Sequence, residues 1–526
     1  MIKILKITIY TLTFTLLYSQ SFSDIMDEKP LWTGSFGTVS IDGETYNQIS
    51  LRPEFNLGKW GMGFDFYLYV NGNGEIYEDS WEFIDENGKF SFKNTYKTFI
   101  DKLRYVRYGY PGDQIYFRLG ALFNISIGHG ILVDNYSNMM RYPENRQVGL
   151  QAKGFLSSGI GLEFIQSNFK NSPSLIGARI NYPITSDFDF GVSVITDVNQ
   201  NSGLEDSDDD GTPDFVDAFP DNPDYQIDTD DDGVPDEIDY DADGDGFDWY
   251  HHTDYETLDE AEENWNSNLP LDPDGEITDQ DEIINFTDLK ESLTGVAFDF
   301  TYHINQNFKF YSEAAMLISS EEYTFSNGKK WQPGYGLIPF GLKGHYGPFS
   351  FKLEFRKNSR HFIYNFWNRS YDINRSMLDG ATIVTKASQL YEYGTMDGIY
   401  LDLGGNFYNL INLNLGYQYL RGESWDIIVE DFIDNQNNGS FLANISLNTS
   451  NIPKLKYLNG FYQRVNVDNP FDIAKPDQNT IFGYDLGLDF SESVILVYKS
   501  RTSYEPNGSG GYNKVNSMFI ETQILF

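Results

Sequence analysis

The sequence predicts an all-β fold, a transmembrane antiparallel β-barrel of about 20 strands (range 16–20) with a calcium-binding loop insertion. Three observations lead to this prediction. Segments of roughly ten residues alternate apolar and polar side chains, as strands with one lipid face and one lumen face do. The connections between these segments alternate between short and long. One stretch of about forty residues repeats acidic side chains around a glycine at the spacing of a calcium-binding loop.

The alternation separates an apolar face from a polar one within each predicted strand. Phe64, Phe66 and Leu68 share one face, and Asp65 and Tyr67 lie on the other. Because the polar face often carries full charges, we expect it to line a wet lumen and the apolar face to contact lipid. The residues predicted to face the lumen are Asp65, Arg118, Asp299, His303, Lys352, Glu354, Arg356, Asn412, Asn414 and Asp485.

The connections separate a barrel from a soluble β-sandwich, whose strands also alternate. Links after even-numbered strands are short, and those after odd-numbered strands are mostly long, such as 359–395 and 423–437. Periplasmic turns and extracellular loops produce this pattern. The predicted strands are 33–42, 45–57, 60–71, 101–109, 113–122, 145–156, 158–168, 173–183, 187–197, 292–304, 306–318, 334–345, 347–358, 396–408, 410–422, 438–449, 457–467, 480–490, 493–503 and 513–526.

The two ends of the chain carry export signals. Lys3 and Lys6 precede an apolar run and the small residues that end at Ser21, which is the pattern of a cleaved signal peptide. The last predicted strand, with Met518 to Phe526 alternating, resembles the terminal strand of bacterial outer-membrane proteins. That resemblance implies recognition by the barrel-assembly machinery. We therefore expect a location in the outer-membrane lipid of a Gram-negative-type envelope, with cleavage near Ser21.

An acidic motif occurs twice between the ninth and tenth predicted strands. Each copy has acids at relative positions 1, 3, 5, 9 and 12 and glycine at 6, namely Gly211 or Gly233. Ca²⁺ prefers several hard oxygen ligands, and glycine permits the sharp turn between them. A third run begins correctly but has Trp249 where an acid is expected. The candidate ligands are Asp206, Asp208, Asp210, Thr212, Asp214, Asp217, Asp228, Asp230, Asp232, Val234, Asp236, Asp239, Asp241, Asp243, Asp245 and Asp248.

These acidic units and the link Asp217-Ala218-Phe219-Pro220 resemble bacterial thrombospondin type 3 repeats. The resemblance implies a chain wrapped around several Ca²⁺ ions. The alternative is a solvated acidic tail, which would not need glycine at position 6 of both copies. We therefore divide the chain into a signal peptide (1–21), nine barrel strands (22–199), the calcium-binding insertion (200–291) and eleven barrel strands (292–526).

Composition excludes several classes of function. The formal net charge of −41 comes mostly from residues 205–291, which hold 34 acids and one base. A chain without a basic face is a poor nucleic-acid binder, and the lack of cysteine excludes disulfides and thiolate metal sites. No catalytic arrangement stands out, so we do not expect an enzyme. The leading hypothesis is a porin-like channel for small polar solutes. The alternative is a surface binding or attachment protein that the barrel only anchors.

One long link is unusually apolar for an exposed loop. Residues 123–144 include Ile127, Ile131, Leu132 and Val133. Long loops of this kind are usually functional. Folding into the lumen would bury these side chains, and so would packing outward against neighbouring loops. The sequence leaves both arrangements open.

Overall fold

The fold follows from a single ladder of antiparallel strands. The computed structural model describes residues 32–41, 44–74, 76, 83, 89–140, 142, 146–169, 175–204, 206–208, 212–220, 222–228, 233–236, 291–320, 322–325, 327–379, 382–449 and 452–525. The predicted signal peptide and Phe526 lie outside these residues. The chain divides into two compact units, one of residues 1–198 with 292–526 and one of residues 199–291.

Twenty strands form the barrel, with the third interrupted at Asp65. They are β1 (Trp32–Ile41), β2 (Glu44–Leu57), β3 (Trp60–Phe64 and Phe66–Val70), β4 (Leu103–Tyr108), β5 (Ile115–Gly120), β6 (Gly149–Phe155), β7 (Gly161–Gln166), β8 (Leu175–Pro183), β9 (Phe188–Asp197), β10 (Leu293–His303), β11 (Phe308–Ser319), β12 (Tyr335–Tyr346), β13 (Phe349–Asn358), β14 (Tyr393–Phe407), β15 (Ile411–Asp426), β16 (Asp431–Leu447), β17 (Leu455–Val467), β18 (Thr480–Ser491), β19 (Val494–Pro506) and β20 (Tyr512–Leu525).

Each strand pairs antiparallel with its neighbours in sequence, and β1 also pairs with β20, from Thr33 opposite Leu525 to Val39 opposite Phe519. The sheet is therefore closed and leaves no edge strand. The predicted barrel and its strand number are confirmed. Among the described residues, no helix has the length and apolar character needed to cross a membrane.

One predicted link is wrong. Residues 423–437 do not form a long loop, because β15 and β16 continue beyond a bulge near Gly422 and pair as far as Asp426 opposite Asp431. Trp425 packs edge-on against Phe432 across this extension, with ring centroids 5.4 Å apart. Such cross-strand aromatic pairs stabilise a hairpin. The turn that remains is 427–430.

The shorter elements occupy the connections. Helix α1 (Phe92–Asp101) begins after Ser91, whose Oγ accepts a hydrogen bond from the Asn94 amide at 3.2 Å. Helix α2 (Tyr371–Asn374) and a turn of 3-10 helix (Ser388–Glu392) follow β13, and another 3-10 turn (Gln200–Gly203) lies in the second unit. Two short hairpins pair Tyr323–Thr324 with Lys330–Trp331 and Ser376–Asp379 with Thr382–Thr385.

The links divide the barrel into two ends. Links after even-numbered strands, such as 347–348 between β12 and β13, define the short-turn end. Links after odd-numbered strands, such as 359–392 between β13 and β14, define the long-loop end. Residues that pair across two neighbouring strands lie close together on the wall.

The two faces of the wall differ as the alternation predicts. Outward side chains of β10, β12, β13 and β14 include Phe298, Phe300, Phe340, Phe355 and Ile399, which are apolar and between 40% and 53% exposed. The inward side chains of the same strands are largely polar or charged, and many are buried.

Two connections account for that burial. The first inward loop (121–140) and the second inward loop (359–392) contribute Ile131, Leu132, Val133, Phe366 and Trp367 to the largest buried apolar cluster, each at most 2% exposed. Wall residues such as Ala297, Tyr311 and Ile338 belong to the same cluster. Of the two arrangements open for residues 123–144, the structure shows the inward one.

The barrel interior as a candidate functional site

The tip of the first inward loop is held by one wall carboxylate. Glu313 of β11 accepts hydrogen bonds from the amides of His129 at 3.1 Å and Ile131 at 3.2 Å. Gly128 and Gly130 have φ values of 65° and 101°, in the left-handed region that favours glycine. A Cβ on Gly128 would lie 2.7 Å from Oε1 of Glu313. The two glycines therefore allow the backbone to curl around the carboxylate.

The same tip makes contact with two further strands. Lys352 Nζ donates to the His129 carbonyl at 2.7 Å, and His129 Nε2 lies 2.7 Å from Thr301 Oγ1. The imidazole stacks on the Tyr311 ring with centroids 3.7 Å apart. Burial and the surrounding cations, Lys309 first among them, lower the pKa of His129 well below its usual value. The imidazole is therefore neutral at pH 7. Thr301 is the third residue from the short-turn end of β10, so the loop crosses most of the barrel.

Glu354 is the centre of a buried charge network beside this tip. It binds Lys352 at 3.0 Å and Arg356 at 2.6 Å, and it accepts a hydrogen bond from the Tyr311 hydroxyl at 2.5 Å. Arg356 Nη1 also donates to Gln418 at 2.5 Å. Lys352, Glu354 and Arg356 are 8%, 0% and 1% exposed. The expectation that inward charges remain in water is therefore wrong for these three residues, because both inward loops cover the network: Lys352 contacts His129, and Arg356 lies over the Tyr364 ring.

The two inward loops pack as one body. The Trp367 amide donates to the Leu132 carbonyl at 3.1 Å, and Tyr136 donates to the Asp372 carboxylate at 3.0 Å. Gly295 of β10 permits the close approach of this body to the wall, since a Cβ there would lie 2.8 Å from Trp367 and 2.9 Å from Leu132. The interior at the long-loop end is thus filled by side chains.

Asp197 of β9 and Asp299 of β10 are inward carboxylates that each form a buried ion pair. Asp197 accepts from the Tyr371 hydroxyl at 2.6 Å and pairs with Arg375 at 2.6 Å. Asp299 pairs with Arg179 of β8 through Nη2 and Oδ1 at 3.0 Å. Both carboxylates are completely buried. A buried charge that loses its partner is costly, so the Asp197 pair specifies the position of the second inward loop, and the Asp299 pair joins β8 to β10.

A second charge network lies where the barrel closes. Arg52 binds Asp65 at 3.1 Å and Glu521 at 2.8 Å, and Arg146 binds Asp65 at 2.9 Å. These residues belong to β2, the interruption of β3, β20 and the link before β6. All four are buried. The network therefore joins the first strands to the last one.

The remaining predicted lumen residues have separate surroundings. Asp485 pairs with Arg501 at 2.7 Å, and His303 lies 2.8 Å from Asp189. Arg118 donates to the Ala121 carbonyl at 3.1 Å. Asn414 donates to Asp402 at 2.9 Å, and Asn412 donates to Ser446 at 3.4 Å. The structure thus brings Asp299, Lys352, Glu354 and Arg356 to the surroundings of the first inward loop, and places the others elsewhere on the wall.

Sequence reasoning did not single out Glu313, Arg179, Lys309 or Lys343, although all four occupy inward positions. Glu313 and Lys309 lie in a predicted strand at the same alternation phase. That phase could have identified them, because the intervening side chains Phe310 and Ala314 are apolar. The partners of each one come from other strands, which alternation alone does not specify.

The calcium candidates lie only partly within the described residues. Asp210, Asp230, Asp232, Asp239, Asp241, Asp243, Asp245 and Asp248 lie outside them. Within the described part, Asp228 Oδ2 accepts a hydrogen bond from the Gly233 amide at 2.8 Å, and Gly233 has a φ of 89°. This bond closes the turn from position 1 to position 6.

The first copy has its own internal contacts. Asp214 accepts from the amide and the hydroxyl of Ser207, both at 2.7 Å, and Asp217 accepts from the Phe219 amide at 2.8 Å. Thr212 is buried, and Asp206, Asp208, Val234 and Asp236 lie in the described turns. Among the described residues, no three acids or histidines are grouped closely enough to hold a metal ion.

Comparison with known proteins identifies no family. No protein-family model matches the chain, and no curated protein matches it. OpdL of Pseudomonas aeruginosa aligns with 10% identity and a TM-score of 0.32, over 94% of this chain and 98% of that chain. The FrpB iron transporter of Neisseria meningitidis (F5-1 variant) aligns with 8% identity and a TM-score of 0.35, over 95% and 83%. A BenF-like porin from Pseudomonas fluorescens Pf-5 aligns with 7% identity and a TM-score of 0.32, over 96% and 100%.

Proposed function

We propose that the chain is an outer-membrane channel for small polar solutes whose lumen is narrowed by its two inward loops. The observation that supports this most directly is Lys343, an inward lysine of β12 that is exposed to solvent. A barrel of twenty strands is wide enough to enclose water. Solvent therefore enters the barrel where the inward loops do not fill it.

The outer face supports the membrane location. Exposed aromatic and aliphatic side chains recur along the outside of consecutive strands, and contiguous apolar surface of this kind marks contact with lipid or a partner. A closed ladder also pairs the strand backbones with one another, as strands that face hydrocarbon require. Both features suit a barrel embedded in the outer membrane.

Reconstitution tests the channel directly. The full chain in a planar bilayer is expected to conduct ions in discrete steps. Glu313→Ala should raise the conductance or the open time, because it removes the acceptor that holds the His129 and Ile131 amides. Glu322→Ala, in an exposed hairpin at the long-loop end, is the matched control and should leave conductance unchanged. Silence of both the native chain and the Glu313 variant would contradict the channel.

The second candidate is a surface binding protein for which the barrel is only an anchor. The apolar cluster formed by both inward loops supports this candidate, because an anchor does not need an open interior. The bilayer measurement separates the two. An anchor remains silent when Glu313 is changed.

We also propose that residues 199–291 form a calcium-stabilised module outside the cell. The turn that Asp228 closes on Gly233 supports metal binding, since it gathers the early positions of the motif as a calcium loop requires. The parity of the strands supports the location, because the module follows β9. An epitope tag near Asn222 should bind antibody on intact cells. Binding only after permeabilisation would contradict the location.

A further inference from the structure

Three lysines lie side by side on the inner face of the barrel near the short-turn end. Lys343 of β12 is the direct partner of Lys309 on β11 and of Lys352 on β13. Directly opposed residues of antiparallel strands point to the same face with Cβ atoms about 5 Å apart, and like charges there repel each other. The arrangement is therefore unfavourable unless something negative lies beside it.

Only one of the three lysines is neutralised by the protein. Lys352 pairs with Glu354 and donates to the His129 carbonyl. In the part of the chain that the structure describes, neither Lys309 nor Lys343 forms an ion pair or a side-chain hydrogen bond. Lys343 is exposed to solvent and Lys309 is partly exposed.

The neighbouring acids are already engaged by other groups. Asp299 pairs with Arg179, Asp189 with His303, and Glu354 with Lys352 and Arg356. Across the next strand Asp402 accepts from Asn414, and inside the barrel Asp134 accepts from Ser126. No described acid therefore neutralises the lysine pair, which lies in a confined space that water reaches.

The roof of this space is formed by the first inward loop. The His129 imidazole stacks on Tyr311, and burial, with Lys309 and Lys343 nearby, lowers its pKa, so it carries no charge at neutral pH. A neutral, partly apolar roof excludes bulk water from one side without supplying a counter-charge. Two ammonium groups in such surroundings attract an anion more strongly than they would in open solvent.

We propose that Lys309 and Lys343 bind the phosphate or carboxylate group of a small solute, beneath the first inward loop and open to the short-turn end. Two ammonium groups on adjacent strands can each donate charge-assisted hydrogen bonds to the oxygens of one such group. The ligands of this site are therefore anionic solutes. The proposal rests on the proposed channel only for the role of the site in solute passage.

The test compares the native chain with the double variant Lys309→Gln/Lys343→Gln. Equilibrium dialysis of the purified full chain against inorganic phosphate, and separately against acetate, measures binding without requiring conduction. We expect binding of at least one probe that weakens about tenfold or more in the double variant, given the strength of hydrogen bonds to charged groups. Binding of phosphate but not acetate, or of acetate but not phosphate, would identify the oxygen geometry that the site prefers.

Two controls make the result specific. Lys343→Arg keeps the positive charge and should retain most of the binding, and Lys330→Gln removes a lysine from the exposed hairpin at the long-loop end and should change nothing. The double variant should also unfold at the same temperature as the native chain or a higher one, because it relieves the repulsion between paired residues. Loss of binding is then not a loss of fold.

Conduction distinguishes the failure of this site from the failure of the proposed channel. In a potassium chloride gradient the native channel should prefer anions, and the reversal potential of the double variant should move towards cations. Equal retention of both probes by the native chain and the double variant overturns the site, whatever the bilayer shows. Lysine-dependent retention by a chain that does not conduct overturns the channel and leaves the site intact.

Discussion

The barrel and the acidic unit maintain their structures by different means. The barrel closes its ladder from β1 to β20 and buries side chains such as Trp367, Tyr311 and Phe366 completely. In the described part of residues 199–291, Phe215 is 48% exposed and Val234 is 36% exposed, and the turns depend on carboxylates that accept backbone hydrogen bonds. One unit is stabilised by burial. The other has so many acids and so little apolar burial that we expect it to require a cation.

Removal of calcium should give the largest difference between the two units. With a chelator, cleavage by a protease should rise sharply between residues 200 and 290 and remain unchanged in the barrel, because the proposed metal binding would supply folding free energy that the unit does not gain from burial. The measurement is limited proteolysis with identified fragments. Asp228→Ala should reproduce the effect at a limiting Ca²⁺ concentration, whereas Asp224→Ala, which changes an exposed acid outside the repeated motif, should not. Equal resistance with and without chelator would remove the proposed distinction.

A charge on the outer face should be the most damaging single change to the barrel. Leu353 lies on the outward face in the middle of β13, so Leu353→Lys is expected to destabilise the folded barrel by about 2–4 kcal/mol. Urea titration of the chain folded into lipid vesicles measures this loss. Lys357→Gln, on the same face near the end of the same strand, should have little effect. Equal losses for the two variants would show that the outward face does not contact hydrocarbon.

Loss of the carboxylate of Glu313 should have a smaller and more local effect. Glu313→Ala leaves two buried amides without their acceptor, which costs about 1–3 kcal/mol for each unsatisfied group. Hydrogen exchange of His129 and Ile131 should accelerate while the strand amides remain protected. Glu313→Gln retains one carbonyl acceptor and should show an intermediate effect. Unchanged exchange in Glu313→Ala would mean that apolar packing alone holds the loop.

A buried lysine of the second inward loop should make the stability of that loop depend on pH. Burial lowers the pKa of Lys386 to about 7, although its Nζ donates to the Phe366 carbonyl at 2.7 Å. An unfolded lysine titrates near 10.4. Between these two values the unfolded state binds more protons, so the loop should become more stable as the pH rises from about 7 towards 10. The rate of proteolysis within 359–392 should therefore fall over this range in the native chain and vary less in Lys386→Met. The same pH profile in both proteins would contradict the role of Lys386.

The wall of the barrel could be predicted from the sequence because alternation and link length are local properties. Phe298, Asp299 and Phe300 already show which side chains face outward, and the turn at Asn305 shows where the chain reverses. The extension of β15 and β16 was missed because the sequence from Ser424 to Asp434 does not alternate: Ile427, Ile428 and Val429 are consecutive, and two acids follow them. Its pairing depends on a bulge that local composition does not specify.

The interior could not be predicted to the same extent, because its contacts join distant parts of the chain. Nothing near His129 indicates that its amide binds Glu313, or that Lys352 reaches its carbonyl. The lysine pair depends on register, since a shift of one residue would turn Lys343 away from the lumen. The register of three neighbouring strands is set by the closed sheet as a whole and cannot be read from the sequence of one strand.

The pairing of β1 with β20 has a consequence for how the barrel is made. Thr33 and Leu525 are partners, so the ladder cannot close before Tyr512–Leu525 has been synthesised and delivered. Until then both strands are open edges. Contacts of such large sequence separation form slowly, and exposed edges aggregate during the delay. We therefore expect the chain to need protection from aggregation until this pairing forms.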